Sequence, residues 1–172
     1  MKYRIENEFP CSGDEVMRTM FMEGITEKLL PDMNSVREAE TLEWKEKNGV
    51  IQRRVRYLPV PAIKSVGPKK VDPRWMEWIE ESQLDLRSRV VTYVNVPTTP
   101  GVARLLKNSG RMSVRDKPQG GCIREVAGEL KVKVLLLGVV AERVIYSYAQ
   151  EILRDEARAL AGFIRASEGQ SA

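Results

Sequence analysis

The sequence predicts an α+β fold: a curved antiparallel sheet of about six to seven strands wrapped on one long C-terminal helix, with two short helices after the first strand. Two observations lead there. First, from Leu136 to Ala166 there is no proline, and Leu137, Val140, Ala141, Val144, Ile145, Tyr148, Ile152, Leu160 and Ile164 recur at three- and four-residue steps. At 1.5 Å of rise per residue such a helix is about 45 Å long. Second, the roughly one hundred residues before it read mostly as strand. A helix of that length after a run of strands needs a broad, bent sheet to bury its stripe, a shape that readily leaves an interior cavity.

The elements follow in order. Tyr3, Ile5, Asn7 and Phe9 alternate with Lys2, Arg4, Glu6 and Glu8, the pattern of a half-buried strand, and Pro10 ends it. Ser12 followed by Glu15 is a capping box that opens a helix carrying Val16, Met17, Met20 and Phe21. Gly24 interrupts it, and a shorter helix runs from Ile25 to Leu30, stopped by Pro31. Val36–Lys45 and Val50–Leu58 are strands joined through Asn48-Gly49, two residues that tolerate positive φ and so signal a hairpin.

Pro59–Pro73, with four prolines and one glycine, reads as a long loop of the kind that serves as a lid. Trp75–Glu81 and Leu84–Val96 read as a strand pair, with Leu86, Ser88, Val90, Thr92 and Val94 on one face; Trp75–Ile79 is alternatively a helical turn after Pro73. Residues 102–108 suggest another helical turn. Arg111–Lys117 and Cys122–Val134 flank a Pro118–Gly121 turn. Residues 1–166 are expected to form a single domain and 167–172 a disordered tail.

Composition narrows the function classes. With 172 residues the chain buries roughly 70% of its unfolded surface as one domain. There is no signal-peptide pattern and no apolar run long enough for a membrane span, so a cytoplasmic protein is expected. The absence of histidine removes Ser-His and Cys-His nucleophile pairs and most zinc and iron sites, and no cofactor is called for. Cys11 and Cys122 make no metal pattern. Residues 45–74 carry nine Lys/Arg against two acids, and 104–124 carry six against one. If the fold joins these blocks, they form an anion-seeking face.

Arg53 shares its strand face with Ile51, Val55 and Tyr57, and Arg124 shares one with Val126 and Leu130. An arginine on an apolar face needs a partner. Either a neighbouring glutamate supplies it, or the guanidinium turns into a cavity to hold an anionic headgroup. Glu77, Glu80 and Glu81 offer carboxylates beside two tryptophans; a solvated strand face is the plain explanation and acid/base work the sharper one. Trp44, Trp75 and Trp78 near basic residues suit core packing or interfacial anchoring, and no nucleic-acid motif accompanies them. Val60, Ile63 and Val66 interspersed with Lys64, Lys69 and Lys70 suit a lid that dips into an anionic membrane surface.

The element order is that of the helix-grip fold, and the chain resembles the START-like (SRPBCC) superfamily. Within it the chain is similar to the PRELI-type phospholipid-transfer proteins. The parallels are Met1-Lys2-Tyr3 with Phe9, Val60-Pro61-Ala62-Ile63-Lys64-Ser65 followed by Gly67, Glu80-Glu81-Ser82 with Asp85, Arg89 and Asn95, and Lys131-Val132-Lys133 before the closing helix. It equally resembles bacterial proteins of the same fold. The resemblance implies a lidded cavity between sheet and long helix for an apolar ligand, a lid over residues 59–72, headgroup contact through Lys64, and, in the PRELI-type family, a small helical partner.

The leading expectation is therefore a non-enzymatic binder or carrier of a lipid or other hydrophobic small molecule. Its cavity would be lined by Val140, Val144, Tyr148, Ile152, Val55, Tyr57, Val90 and Val126, and an anionic head would meet Arg53, Lys64 or Arg124. The alternatives are a cyclase- or dehydratase-type enzyme on the same fold, and a cavity-free protein-interaction module.

Overall fold

In the computed structural model, residues 1–61, 65–66, 69–70, 72–133 and 138–169 are described; at 65–66, 69–70, 138–140 and 168–169 the description is of backbone alone. β1 (Lys2–Phe9) leads into α1 (Gly13–Met20), α2 (Ile25–Leu29) and a 3-10 turn at Leu30–Asp32. β2 (Val36–Lys47) and β3 (Val50–Pro59) precede two short strands, β4 (Ser65–Val66) and β5 (Lys69–Lys70), and a 3-10 turn at Pro73–Met76. Then come β6 (Trp78–Asp85), β7 (Val90–Pro97), α3 (Pro100–Leu105), β8 (Leu106–Asp116), β9 (Cys122–Val132) and α4 (Gly138–Gly169).

Seven strands form one antiparallel sheet in the order β1-β9-β8-β7-β6-β3-β2. Local chemistry explains its corners. Asn48 and Gly49 take φ of 53° and 76°, the twist that a two-residue hairpin needs between β2 and β3. Ser12 Oγ accepts the Glu15 N–H at 3.2 Å and opens α1, whose Val16, Met17 and Met20 are buried. α4 packs on β1, β9, α1 and α2. No helix among the described residues is long and apolar enough to cross a membrane.

Four expected elements are placed differently. The β6–β7 turn lies at Leu86–Arg89, not at Ser82–Gln83, because Asp85 Oδ1 accepts the Ser88 N–H at 2.8 Å and Arg89 adopts φ 54°. Within β7, Val91 and Tyr93 are buried, and the face that carries Val90, Val94 and Val96 points outward and not into the cavity. The helical turn expected over 102–108 is α3, which ends at Leu105, and residues 106–108 belong to β8. Within the expected long loop, β4 pairs antiparallel with β5. α4 continues to Gly169, past the expected domain end, and 170–172 lie outside the described residues.

α4 has two different halves. Ala157, Leu160 and Ile164 are buried in the core with α1 and α2, while Val144, Tyr148 and Ile152, further toward its N-terminal end, border a cavity. The sheet follows the same division. Phe9, Val16, Phe21, Val55 and Leu84 fill one end solidly, and the other end is open space.

Candidate functional site

The cavity has a volume of about 420 Å³ and lies between the inner face of the sheet and the first half of α4. Its apolar lining includes Met33, Pro59, Trp78, Met112, Val126 and Ile152. Tyr57 and Trp78 stack across β3 and β6, with ring centroids 5.3 Å apart. Trp75, Val102 and Val144 stand at its border, and Trp75 is 53% exposed.

A short set of polar groups interrupts this lining. Glu80, Asn95 and Asn108 are cross-strand neighbours on β6, β7 and β8, and all three face the cavity. Asn95 Oδ1 is buried and has no hydrogen-bond partner. Tyr3 donates to Asn108 Oδ1 at 2.7 Å and meets the Tyr93 hydroxyl at 2.6 Å. These two phenols lie over a pair of facing glycines: a Cβ on Gly110 would stand 2.6 Å from the Tyr93 oxygen, and one on Gly128 would stand 2.7 Å from the Tyr3 oxygen. Burial pushes both phenols up in pKa, so they remain protonated at neutral pH. From α4, Tyr148 presents a buried hydroxyl without a partner, pushed up to about 12 by burial and by Glu151.

The two inward arginines lie behind the wall. Arg53 is buried; it donates to Glu80 Oε1 at 2.9 Å and to the Met20 carbonyl at 2.8 Å, and its guanidinium stacks 4.3 Å from the Phe21 ring centroid. Burial works against its charge, but the Glu80 carboxylate together with Tyr57 and Glu156 outweighs it, so its pKa is raised. Arg124 has no exposed surface; it donates to Glu156 Oε2 at 2.6 Å, and to Asn7 Oδ1 and the Leu153 carbonyl at 2.9 Å each. Glu80 and Glu156 border the cavity, and the arginines do not.

This corrects the headgroup assignment. Arg53 and Arg124 are not cavity groups: neither borders the void, and internal carboxylates and carbonyls hold their terminal guanidinium nitrogens. Lys64 and Ile63 lie outside the described residues, and Val66, Lys69, Lys70 and Val140 are described in backbone only. Val60 is 43% exposed at the end of β3. Among the described residues, the strand-borne parts of the two basic blocks do not join into one face: β6 and β7 separate β3 from β8, and many of those cations pair with acids, as in Arg54–Glu81 and Lys117–Glu8.

Of the expected cavity residues, Tyr57, Val126, Val144, Tyr148 and Ile152 border the void. Val55 does not, being wholly buried in the packed end, and Val90 faces outward. Sequence reasoning did not place Tyr3, Glu80, Tyr93, Asn95, Asn108 or Glu156 in the cavity, although it weighed Glu80 as a carboxylate for acid/base work. Counting back by twos from buried Leu84 reaches Ser82, Glu80 and Trp78, so the inward position of Glu80 was available from strand periodicity. The cavity also removes the reading of a solidly packed interaction module.

No curated protein matches the chain in sequence. In structure it is similar to a protein from Thermus thermophilus, with a TM-score of 0.66 at 17% identity over 97% of this chain and 99% of that one. Zhui aromatase/cyclase from Streptomyces gives 0.65 at 14% identity over 96% and 93%. Norcoclaurine synthase from Thalictrum flavum, in complex with dopamine and hydroxybenzaldehyde, gives 0.65 at 16% identity over 96% and 87%. The architecture is the helix-grip fold. A family model described as protein of unknown function (DUF2505) matches residues 4–164, and the chain belongs to that family.

Proposed function

We propose that this protein binds a hydrophobic small molecule in the cavity between the sheet and α4. The observation that carries the reading is the cavity itself: about 420 Å³ of space with a mainly apolar, aromatic lining and a few buried polar atoms aimed into it. Small-molecule sites run from about 300 to 1,000 Å³ with this kind of lining. Norcoclaurine synthase, seen with two small aromatic molecules, has the same fold and adds support.

Phospholipid carriage is the narrower form of the proposal. Its support is the border of the cavity, where Trp75 and Val144 are exposed apolar residues next in sequence to exposed Arg74 and Arg143. Such a rim suits contact with an anionic bilayer, each cation contributing about 1 kcal/mol near the surface. The displaced headgroup arginines weigh against an anionic head inside.

The test is titration with the neutral fluorescent probe N-phenyl-1-naphthylamine. Saturable uptake at one site per chain, with energy transfer from the cavity tryptophans, is expected. Absence of saturable uptake overturns the proposal.

A second reading, a cyclase- or dehydratase-type enzyme, is favoured by the Tyr93–Tyr3–Asn108 chain, which brings two phenols within hydrogen-bond reach at the cavity wall. With both pKa values raised, these phenols stay neutral, so they would orient a substrate by hydrogen bonding and not serve as bases. Tyr93→Phe distinguishes the two: a binder retains its ligand, whereas an enzyme retains the ligand and loses turnover.

A further inference from the structure

The cavity wall is weighted toward acceptors, with the unpartnered Tyr148 hydroxyl as a neutral donor on the α4 side. Tyr3 has one proton and gives it to Asn108 Oδ1, so in the Tyr3–Tyr93 contact Tyr93 is the donor. Both phenol protons are thereby used within the wall, and what Tyr93 leaves toward the cavity is an oxygen lone pair. Arg53 and Arg124 pair with glutamates and carbonyls behind the wall; Arg124 Nε is buried without a partner, but neither arginine borders the cavity. Asn95 Oδ1 is buried with no donor at all. Among the described residues that border the cavity there are three glutamates and no lysine or arginine.

From this we infer that the polar end of the ligand is a hydrogen-bond donor, a hydroxyl or an amine, received by Asn95 and Glu80, and that a carboxylate or phosphate is rejected. The inference rests on the proposed binding function and names its ligand class. A buried acceptor without a donor is costly, and a ligand O–H or N–H placed at Asn95 Oδ1 removes that cost. A ligand carboxylate would instead face an amide oxygen and glutamate oxygens, with no cation free to pair with it. The neutral N–H donors of Asn95 and Asn108 can hydrogen-bond a hydroxyl but do not neutralise an anion.

Three probes with the same ring test this: 2-naphthalenemethanol, 2-naphthalenemethylamine and 2-naphthoate, titrated by fluorescence at neutral pH. The chain's net charge of +4 favours the anion at long range, so the surface field works against the expected result. The alcohol and the amine should bind at least about tenfold more tightly than the carboxylate. Asn95→Leu should weaken the alcohol and amine and narrow that gap. Asn95→Asp, of the same shape, should strengthen the amine and weaken the carboxylate further, and it serves as the check if the leucine variant folds poorly. Equal binding of all three probes, or tighter binding of the carboxylate, overturns this inference while leaving a binding cavity standing. Binding of none of them overturns both.

Discussion

Filling the cavity from α4 separates a preformed void from a packed core. Ala149 borders the cavity beside Ile145 and Leu153. A pocket of about 150 Å³ holds a benzene ring, so a cavity of about 420 Å³ accepts the ring of Ala149→Phe with more than half its volume left. Burying that ring contributes about 1.5–3 kcal/mol. Lost rotamer freedom takes back roughly 0.5–1 kcal/mol, and the poorer helix propensity of phenylalanine up to about 0.5 kcal/mol. The net gain is about 1 kcal/mol, a rise in Tm of about 2–4 °C for a chain of this size. Calorimetry of the ligand-free variant reads that rise, and titration with N-phenyl-1-naphthylamine should show at least about a tenfold loss of affinity, since ring and probe compete for one space. A fall in Tm of several degrees would mean overpacking, which costs about 1–3 kcal/mol, and hence no void at this wall. An unchanged probe affinity would place the ligand elsewhere.

Three further outcomes follow from the same geometry. Glu156→Ala leaves the fully buried Arg124 without its carboxylate and should cost about 3–5 kcal/mol by urea unfolding. Arg124→Met with Glu156→Leu should recover most of it, and failure to recover would show that the pair is not the cause. Gly110→Ala places a Cβ 2.3 Å from the Ala127 carbonyl and 2.6 Å from the Tyr93 hydroxyl, so it should displace Tyr93 and change the near-UV dichroism of the tyrosines; an unaltered spectrum contradicts the glycine floor.

The third concerns pH. Burial acts to raise the Asp155 carboxyl, but two hydrogen bonds from Ser35 and the charge of Arg158 outweigh it and hold its pKa below the ordinary 3.8. The unfolded chain therefore takes up this proton first, so the stability that Asp155 contributes is present above that pKa and is lost as pH falls through the folded value. Asp155→Asn should lower stability at neutral pH and flatten its decline in the acid range. A parallel pH profile in the variant would rule the linkage out.

Much of the fold was legible because its signals are local. The β1 alternation, the Asn48-Gly49 hairpin and the long α4 stripe each specify geometry within a few residues. The β6–β7 turn was misplaced because no glycine or proline marks it; an aspartate that accepts its own chain's N–H does the work there. Which face of β7 points inward was concealed for another reason: valines lie on both faces, Val90, Val94 and Val96 outward and Val91 inward with Tyr93, so alternation alone does not choose.

The site was less legible for a different reason. Arg53 and Arg124 were visible as inward cations, but which acids met them depended on long-range register: Glu80 lies 27 residues from Arg53, and Glu156 lies 32 from Arg124 and on another element. Sequence periodicity fixes the face a side chain points to, and only pairing across the sheet fixes whether its charge reaches the cavity or stays behind the wall.

The central claim is that this cavity holds a hydrophobic small molecule by its apolar walls and by the oxygens of Asn95 and Glu80. Native mass spectrometry of the protein purified without detergent, followed by mass analysis of its organic extract, tests this most directly. The account predicts a complex heavier than the chain by one small molecule, and an extract containing an apolar compound with a hydroxyl or amine. A chain that carries nothing, and takes up neither N-phenyl-1-naphthylamine nor the naphthalene probes, would contradict it.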